Sequence, residues 1–187
     1  MLFCKPVRRT GVIFDRYAAA GYRIYFRSPE LKRDLPSIQH WYHNSMEKSP
    51  EQFSNFLKDQ DRHPFLGIAR RKRICIMELS RLEIHELGKH IETSHNACCI
   101  QIFANPFQEP SGDIIGNAVA FFLNYYFNFP QAQLLYAVPE IHEHSQCRLL
   151  EQSGFSFYEN LILPSKAASL YLITRKHFFT GTKMEYL

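Results

Sequence analysis

The stretch from Ala97 to Pro139 most narrows what this chain can fold into. It reads ACCIQIFANP, then SGDIIGNAVAFFLNYYF, then, past Phe129-Pro130, AQLLYAVP. The two short apolar runs, bounded by Asn-Pro and by Pro139, read as buried strands. Between them, Ser111 to Phe127 is apolar and aromatic at helical spacing. A strand, a helix and a second strand in that order predict two parallel strands, because parallel neighbours need a long crossover between them. The helix opens on small and acidic residues and then passes Gly116 and Ala118. The first N–H groups of a helix have no internal partners and its dipole end is positive, so phosphate is a natural guest there. A buried helix with a glycine packing notch accounts for the same residues.

The flanking segments extend the pattern. Gly21 to Arg27 alternates as a strand with Tyr22, Ile24 and Phe26 on one face. Leu31 to Asn44 follows as a helix, with Asp34 as N-cap before Leu35 and Pro36. A second short helix starts near Ser49, with Pro50 in its first turn. Pro64–Arg70 and Arg73–Ile84 form an antiparallel hairpin through a basic turn. After the central unit, Glu143 to Phe155 is an amphipathic helix that Gly154 ends, and SFYENLIL and SLYLITR are the last strands. The expected fold is an α/β domain with a mixed, mostly antiparallel sheet flanked by helices. Residues 1–20 lack sustained periodicity and read as an N-terminal arm, and 21–187 as a single domain.

Composition excludes several function classes. A chain of 187 residues, 45% hydrophobic and 21% charged, suits one soluble domain with a full core. The net charge of +4 is spread over short clusters, Arg8-Arg9 and Arg70 to Arg73, too small for a nucleic-acid footprint. No apolar run approaches the roughly 20 residues of a membrane span and no secretory leader pattern is present, so a cytoplasmic protein is expected. The five cysteines include the adjacent Cys98 and Cys99 and no Cys-x-x-Cys spacing, which reads as reduced, mostly buried thiols. Nine scattered histidines, with His142 and His144 projecting apart, give no expected metal site.

The order of elements resembles the GNAT superfamily of acyl-CoA-dependent N-acyltransferases, and more closely the acyltransferases of hydroxamate siderophore biosynthesis, which acylate a hydroxylated lysine side chain. Several segments carry the likeness between Gly21 and Phe178. RSPELKRDLPSIQHWYHN is similar to that group's first-helix signature ending in Trp-x-x-Asn, and HPFLG to its second-strand opening. CIMELSRLE holds the third-strand Glu as Glu78, and LLEQSGF with LILPSKAASLYLI resembles the group's ending, including the turn Leu163 to Lys166. The aminoglycoside N-acetyltransferases resemble it next, but their counterpart of that turn usually reads Pro-Asp-Gly-Pro.

The resemblance implies acetyl-CoA or another short acyl-CoA as co-substrate, a small amine or hydroxylamine acceptor, and no metal. It places the pyrophosphate on the frame Asp113, Ile114, Ile115, Gly116, Asn117 and Ala118, where Gly116 and Ala118 match and Asp113 stands where a cation or amide is usual. Splayed fourth and fifth strands would admit the pantetheine arm beside Ile102 and Phe103, with the splay at Ile102 and Tyr136. Trp41, Glu78 and Lys166 fall on the acceptor side. By residue type alone, Trp41 fits the core and Glu78 a surface carboxylate. An exposed remainder of the Phe121–Phe129 aromatics would mark a homodimer face.

The polar positions of the siderophore group are largely replaced. Its strand His reads Gln101, its acidic residue before Pro reads Val138, its helix-start Asn reads Glu143, and a Tyr used elsewhere in the superfamily reads Leu150. Gln cannot act as a base and Val cannot orient one. One expectation is a diverged enzyme in which His142, Glu140 or Glu143 moves the proton. Another is catalysis by positioning alone, since a hydroxylamine needs less deprotonation at neutral pH. A third is a catalytically inert binding or regulatory protein on the same fold.

Overall fold

The computed structural model describes residues 11–38, 41, 50–59, 61–91, 97–106 and 114–181. The elements are β1 (Val12–Tyr17), β2 (Arg23–Arg27), α1 (Leu31–Ile38), α2 (Pro50–Lys58), β3 (Arg62–Ala69) and β4 (Lys72–Arg81), followed by two 3-10 turns at Leu82–Ile84 and Glu86–Lys89. Then come β5 (Cys98–Ala104), α3 (Ile114–Phe127), β6 (Leu134–Ala137), α4 (His144–Gln152), β7 (Ser156–Ile162), β8 (Ala167–Thr174) and α5 (Arg175–Gly181). The strands form one eight-stranded sheet in the order β1-β2-β3-β4-β5-β6-β8-β7. β1/β2, β2/β3, β6/β8 and β7/β8 pair antiparallel, and β5/β6 pair parallel as the strand–helix–strand pattern predicts.

The chain divides into two compact units, Met1–Leu79 with Ile102–Ala118, and Ser80–Gln101 with Val119–Leu187. In the first, Leu35, Ile38, Trp41, Leu66, Ile68 and Ile76 form one apolar cluster. α1 contributes through its buried Leu35 and Ile38, and its attachment is electrostatic as well. Asp34 is fully buried and accepts hydrogen bonds from Arg27 Nη1 and Nη2 at 2.6 and 2.7 Å, Arg73 Nε at 2.9 Å and the Glu30 N–H at 2.7 Å. Burial alone would raise the Asp34 pKa, but these bonds hold it below the ordinary carboxylate value.

In the second unit, the 3-10 turns contribute Leu82 and Leu87 to a cluster with Cys99, Tyr136, Val138, Leu163, Ala168 and Leu170. Along α3, Val119, Phe122, Leu123, Tyr126 and Phe127 are buried, the stripe expected from the sequence. Gly154 ends α4 with φ +91°, a conformation that glycine adopts without a Cβ clash. Cys75, Cys98 and Cys99 are buried cysteines in no disulfide, and burial pushes the Cys75 and Cys99 thiols up to about 12.

Three expectations need correction, and one element is additional. Residues 12–17 are not an arm: they form the edge strand β1, which pairs with β2 from Val12↔Arg27 to Tyr17↔Arg23. Only Ile13 and Phe14 along it are partly buried, with Phe14 stacked on Phe26 at 4.6 Å, so its alternation is too weak to read. Asp34 is not an N-cap but an interior residue of α1, drawn inward by two arginines from the sheet. Tyr136 is still paired with Cys99, and the β5/β6 ladder ends one residue later at Ile100↔Ala137, after which β5 continues from Gln101 to Ala104. α5, whose His177 N–H bonds to Thr174 Oγ1, followed no signal in the sequence reading. The expected start of α3 at Ser111 lies outside the described residues, as do residues 1–10 and 42–49.

Candidate functional site

In the first unit the expected donor-side residues gather at the start of α3. The helix is described from Ile114, which turns inward and is buried, while Ile115, Gly116 and Asn117 are partly exposed. Among the described residues, a Cβ added at Gly116 would meet no heavy atom within 4 Å, so none of them fills that side of the first turn. Ala118 is fully buried, which makes its small size a packing requirement rather than a ligand contact. Asn117 Nδ2 donates to the Tyr22 hydroxyl at 3.1 Å, fixing the first turn against the chain leading into β2. Asp113 lies outside the described residues.

Further along the same unit, Ile102 is buried and Phe103 packs against the Trp41 cluster. Trp41 is 1% exposed, so it serves the core and offers no face to an acceptor. Glu78, on β4, is buried at 5% exposure instead of lying on the surface. A carboxylate placed that deep in a strand carries a desolvation cost that an exposed one does not.

In the second unit the expected acid–base residues follow the end of β6. Val138 is buried and its carbonyl accepts from Lys166 Nζ at 2.7 Å, so the Lys166 ammonium is engaged with the main chain. Glu86 accepts from both the backbone N–H and the hydroxyl of Ser165, fixing the turn that presents Lys166. The segment after β6 stays aligned with β8 through Ser169 N–H to Pro139 O, at 3.0 Å, and Ile141 N–H to Ala167 O, at 3.1 Å. This main-chain frame holds Glu140, His142 and Glu143.

His142 is 75% exposed and its Nε2 lies 3.1 Å from Glu140 Oε2. Glu143 stands just before α4, where its carboxylate accepts the Glu140 N–H at 3.1 Å and caps no helical N–H. Gln101, on β5, is partly exposed. Leu150 is buried inside α4. Sequence reasoning thus named His142 and Glu140 but missed their direct contact; the i, i+2 spacing in a turn was the available signal.

Among the described residues no group of three or more His, Cys, Asp or Glu is placed to hold a metal ion, and no helix is long and apolar enough to cross a membrane.

No protein-family model matches the sequence and no curated protein matches it. Solved structures do match the fold. An uncharacterized protein from Bacillus halodurans superposes with a TM-score of 0.82 at 14% identity, covering 89% of this chain and 92% of that one. The aminoglycoside acetyltransferase AAC(6')-Ib, solved with paromomycin and acetyl-CoA, gives 0.71 at 15% identity over 87% of this chain and 99% of its own. A mutant of the SpeG spermidine N-acetyltransferase from Vibrio cholerae gives 0.65 at 17% identity over 86% and 98%. The chain therefore has the GNAT fold, the architecture of these N-acetyltransferases.

Proposed function

We propose that the protein is an acyl-CoA-dependent N-acyltransferase that moves an acetyl or short acyl group to an amine. The observation that carries this reading is the match, over 87% of this chain, to an N-acetyltransferase solved with acetyl-CoA. Open space at Gly116, in the first turn of a helix, supports it as the place for the donor's phosphates. In this reading Ile102, Phe103 and residues 113–117 serve the acyl donor.

The chemistry asked of the protein is modest. The acceptor nitrogen forms a bond to the acyl carbon, the carbon–sulfur bond breaks, and the nitrogen's proton is passed on, ending on the departing thiolate. His142 takes that proton at Nδ1, while its Nε2–H faces the Glu140 carboxylate, which stabilises the imidazolium that forms. Glu143 acts as a positioning residue by fixing the Glu140 backbone. Gln101 contributes an amide that can orient the acceptor but cannot accept its proton. Lys166 positions the end of β6 through Val138, and Glu78 is assigned to the acceptor side by the resemblance alone.

For the acceptor, the Trp-x-x-Asn, HPFLG and LPSK segments favour a hydroxylated lysine-like amine of siderophore biosynthesis. The second reading, an aminoglycoside or polyamine, is favoured by the structural matches. Purified protein incubated with acetyl-CoA and either N-hydroxylysine, kanamycin or spermidine separates the two. Faster N-acylation of the hydroxylysine supports the first reading, and faster acylation of either polycation replaces it. A protein that binds CoA thioesters but transfers to none of these amines would be the inert binding module.

A further inference from the structure

The turn between β3 and β4 consists of Arg70 and Arg71, with φ of 49° and 64°. Two-residue hairpin loops in this left-handed region favour Asn-Gly or Asp-Gly, because a Cβ crowds the backbone carbonyl there. The chain nevertheless places its densest run of cations at this spot. Arg70, Arg71 and Lys72 are exposed, whereas Arg73 is drawn away to Asp34.

Arg70 is also fixed in place. Its Cζ lies 4.7 Å from the centroid of the Tyr22 ring, and the Tyr22 hydroxyl accepts from Asn117 Nδ2 at 3.1 Å. One aromatic ring therefore links the guanidinium to the first turn of α3, one residue past the open side of Gly116. Among the described residues no carboxylate pairs with Arg70 or Arg71, so stacking leaves the N–H edge of Arg70 available to an anion. The remaining charge is too small for a nucleic-acid surface, but two guanidinium groups match one phosphate.

We propose that Arg70 and Arg71 bind a phosphate at the nucleotide end of the acyl donor, supplying the positive charge that Asp113 does not. This inference rests on the acyl-CoA reading above. It extends the donor site from α3 to a hairpin turn that no sequence pattern of the phosphate loop includes.

The test is calorimetric binding of CoA, dephospho-CoA and pantetheine to the full chain and to the double variant Arg70→Asn, Arg71→Gly. That pair of residues suits the turn, so the variant keeps its fold. The proposal expects CoA to bind the variant about tenfold or more weakly while pantetheine binds both proteins equally. Added salt should weaken CoA binding to the parent more steeply than to the variant. Loss confined to CoA assigns the contact to the 3′-phosphate, and equal loss with dephospho-CoA assigns it to the pyrophosphate. Unchanged CoA affinity in the variant, or an equal loss for pantetheine, overturns the proposal while leaving the acyl-CoA reading intact. Absence of CoA binding by the parent overturns both.

Discussion

Arg27 grips Asp34 through both terminal nitrogens, at 2.6 and 2.7 Å, with the carboxylate fully buried and the arginine 4% exposed. The pair joins α1 to β2 where neither charge can return to water without breaking the packing. Removing one member of such a pair leaves the other buried and uncompensated. Asp34→Asn should therefore cost about 3–5 kcal/mol at neutral pH, read from urea unfolding. The folded pKa of Asp34 is depressed, so its contribution is present above the ordinary carboxylate pKa and fades as pH falls through the folded value. Parent and variant should converge in stability at low pH. A variant within experimental error of the parent at neutral pH would show that the network adds nothing.

Gly116→Glu places bulk and negative charge into the open space beside the first turn of α3. The expected result is CoA binding weakened by about tenfold or more, with the melting temperature nearly unchanged. Equal CoA affinity in titration calorimetry would remove that turn from the donor site.

The Arg70-Arg71 turn predicts opposite signs for stability and binding. Two non-glycine residues in the left-handed region each cost about 1–2 kcal/mol, while losing the Arg70–Tyr22 stack gives back about 0.5–1 kcal/mol. Replacing the pair with Asn-Gly should raise stability by about 1–2 kcal/mol in chemical denaturation. A less stable variant would mean that the turn's contacts outweigh its strain.

His142→Ala should lower the rate at saturating acyl-CoA by roughly 10²-fold and leave CoA binding alone. Because the side chain is 75% exposed, the fold should not respond. Glu140→Gln should reduce the rate less, since it acts through the histidine. Full activity in His142→Ala would point to positioning alone or to a neighbouring carboxylate.

Much of the architecture was legible because buried strands and helices leave periodic apolar runs, as in β5, α3 and β6. β1 left none, since it packs little more than Phe14 against its neighbour. Asp34 was misread because a local cap and a buried ion pair place the same residue near a helix start. The partners that decide between them, Arg27 and Arg73, come from strands on either side in sequence. The Trp41 core role follows from type and burial. The engagement of Lys166 with Val138, and the stacking of Arg70 on Tyr22, join residues far apart in the chain, which no local spacing encodes.

Acyl transfer from a CoA thioester to an amine frees one thiol per turnover, so thiol release measures it directly. Purified protein with acetyl-CoA and a panel of N-hydroxylysine, kanamycin and spermidine should release free CoA only when a suitable amine is present. One N-acylated product should form for each thiol freed. Thiol release no faster than that of acetyl-CoA alone, across the panel, would contradict the enzyme reading and leave a GNAT fold used for binding.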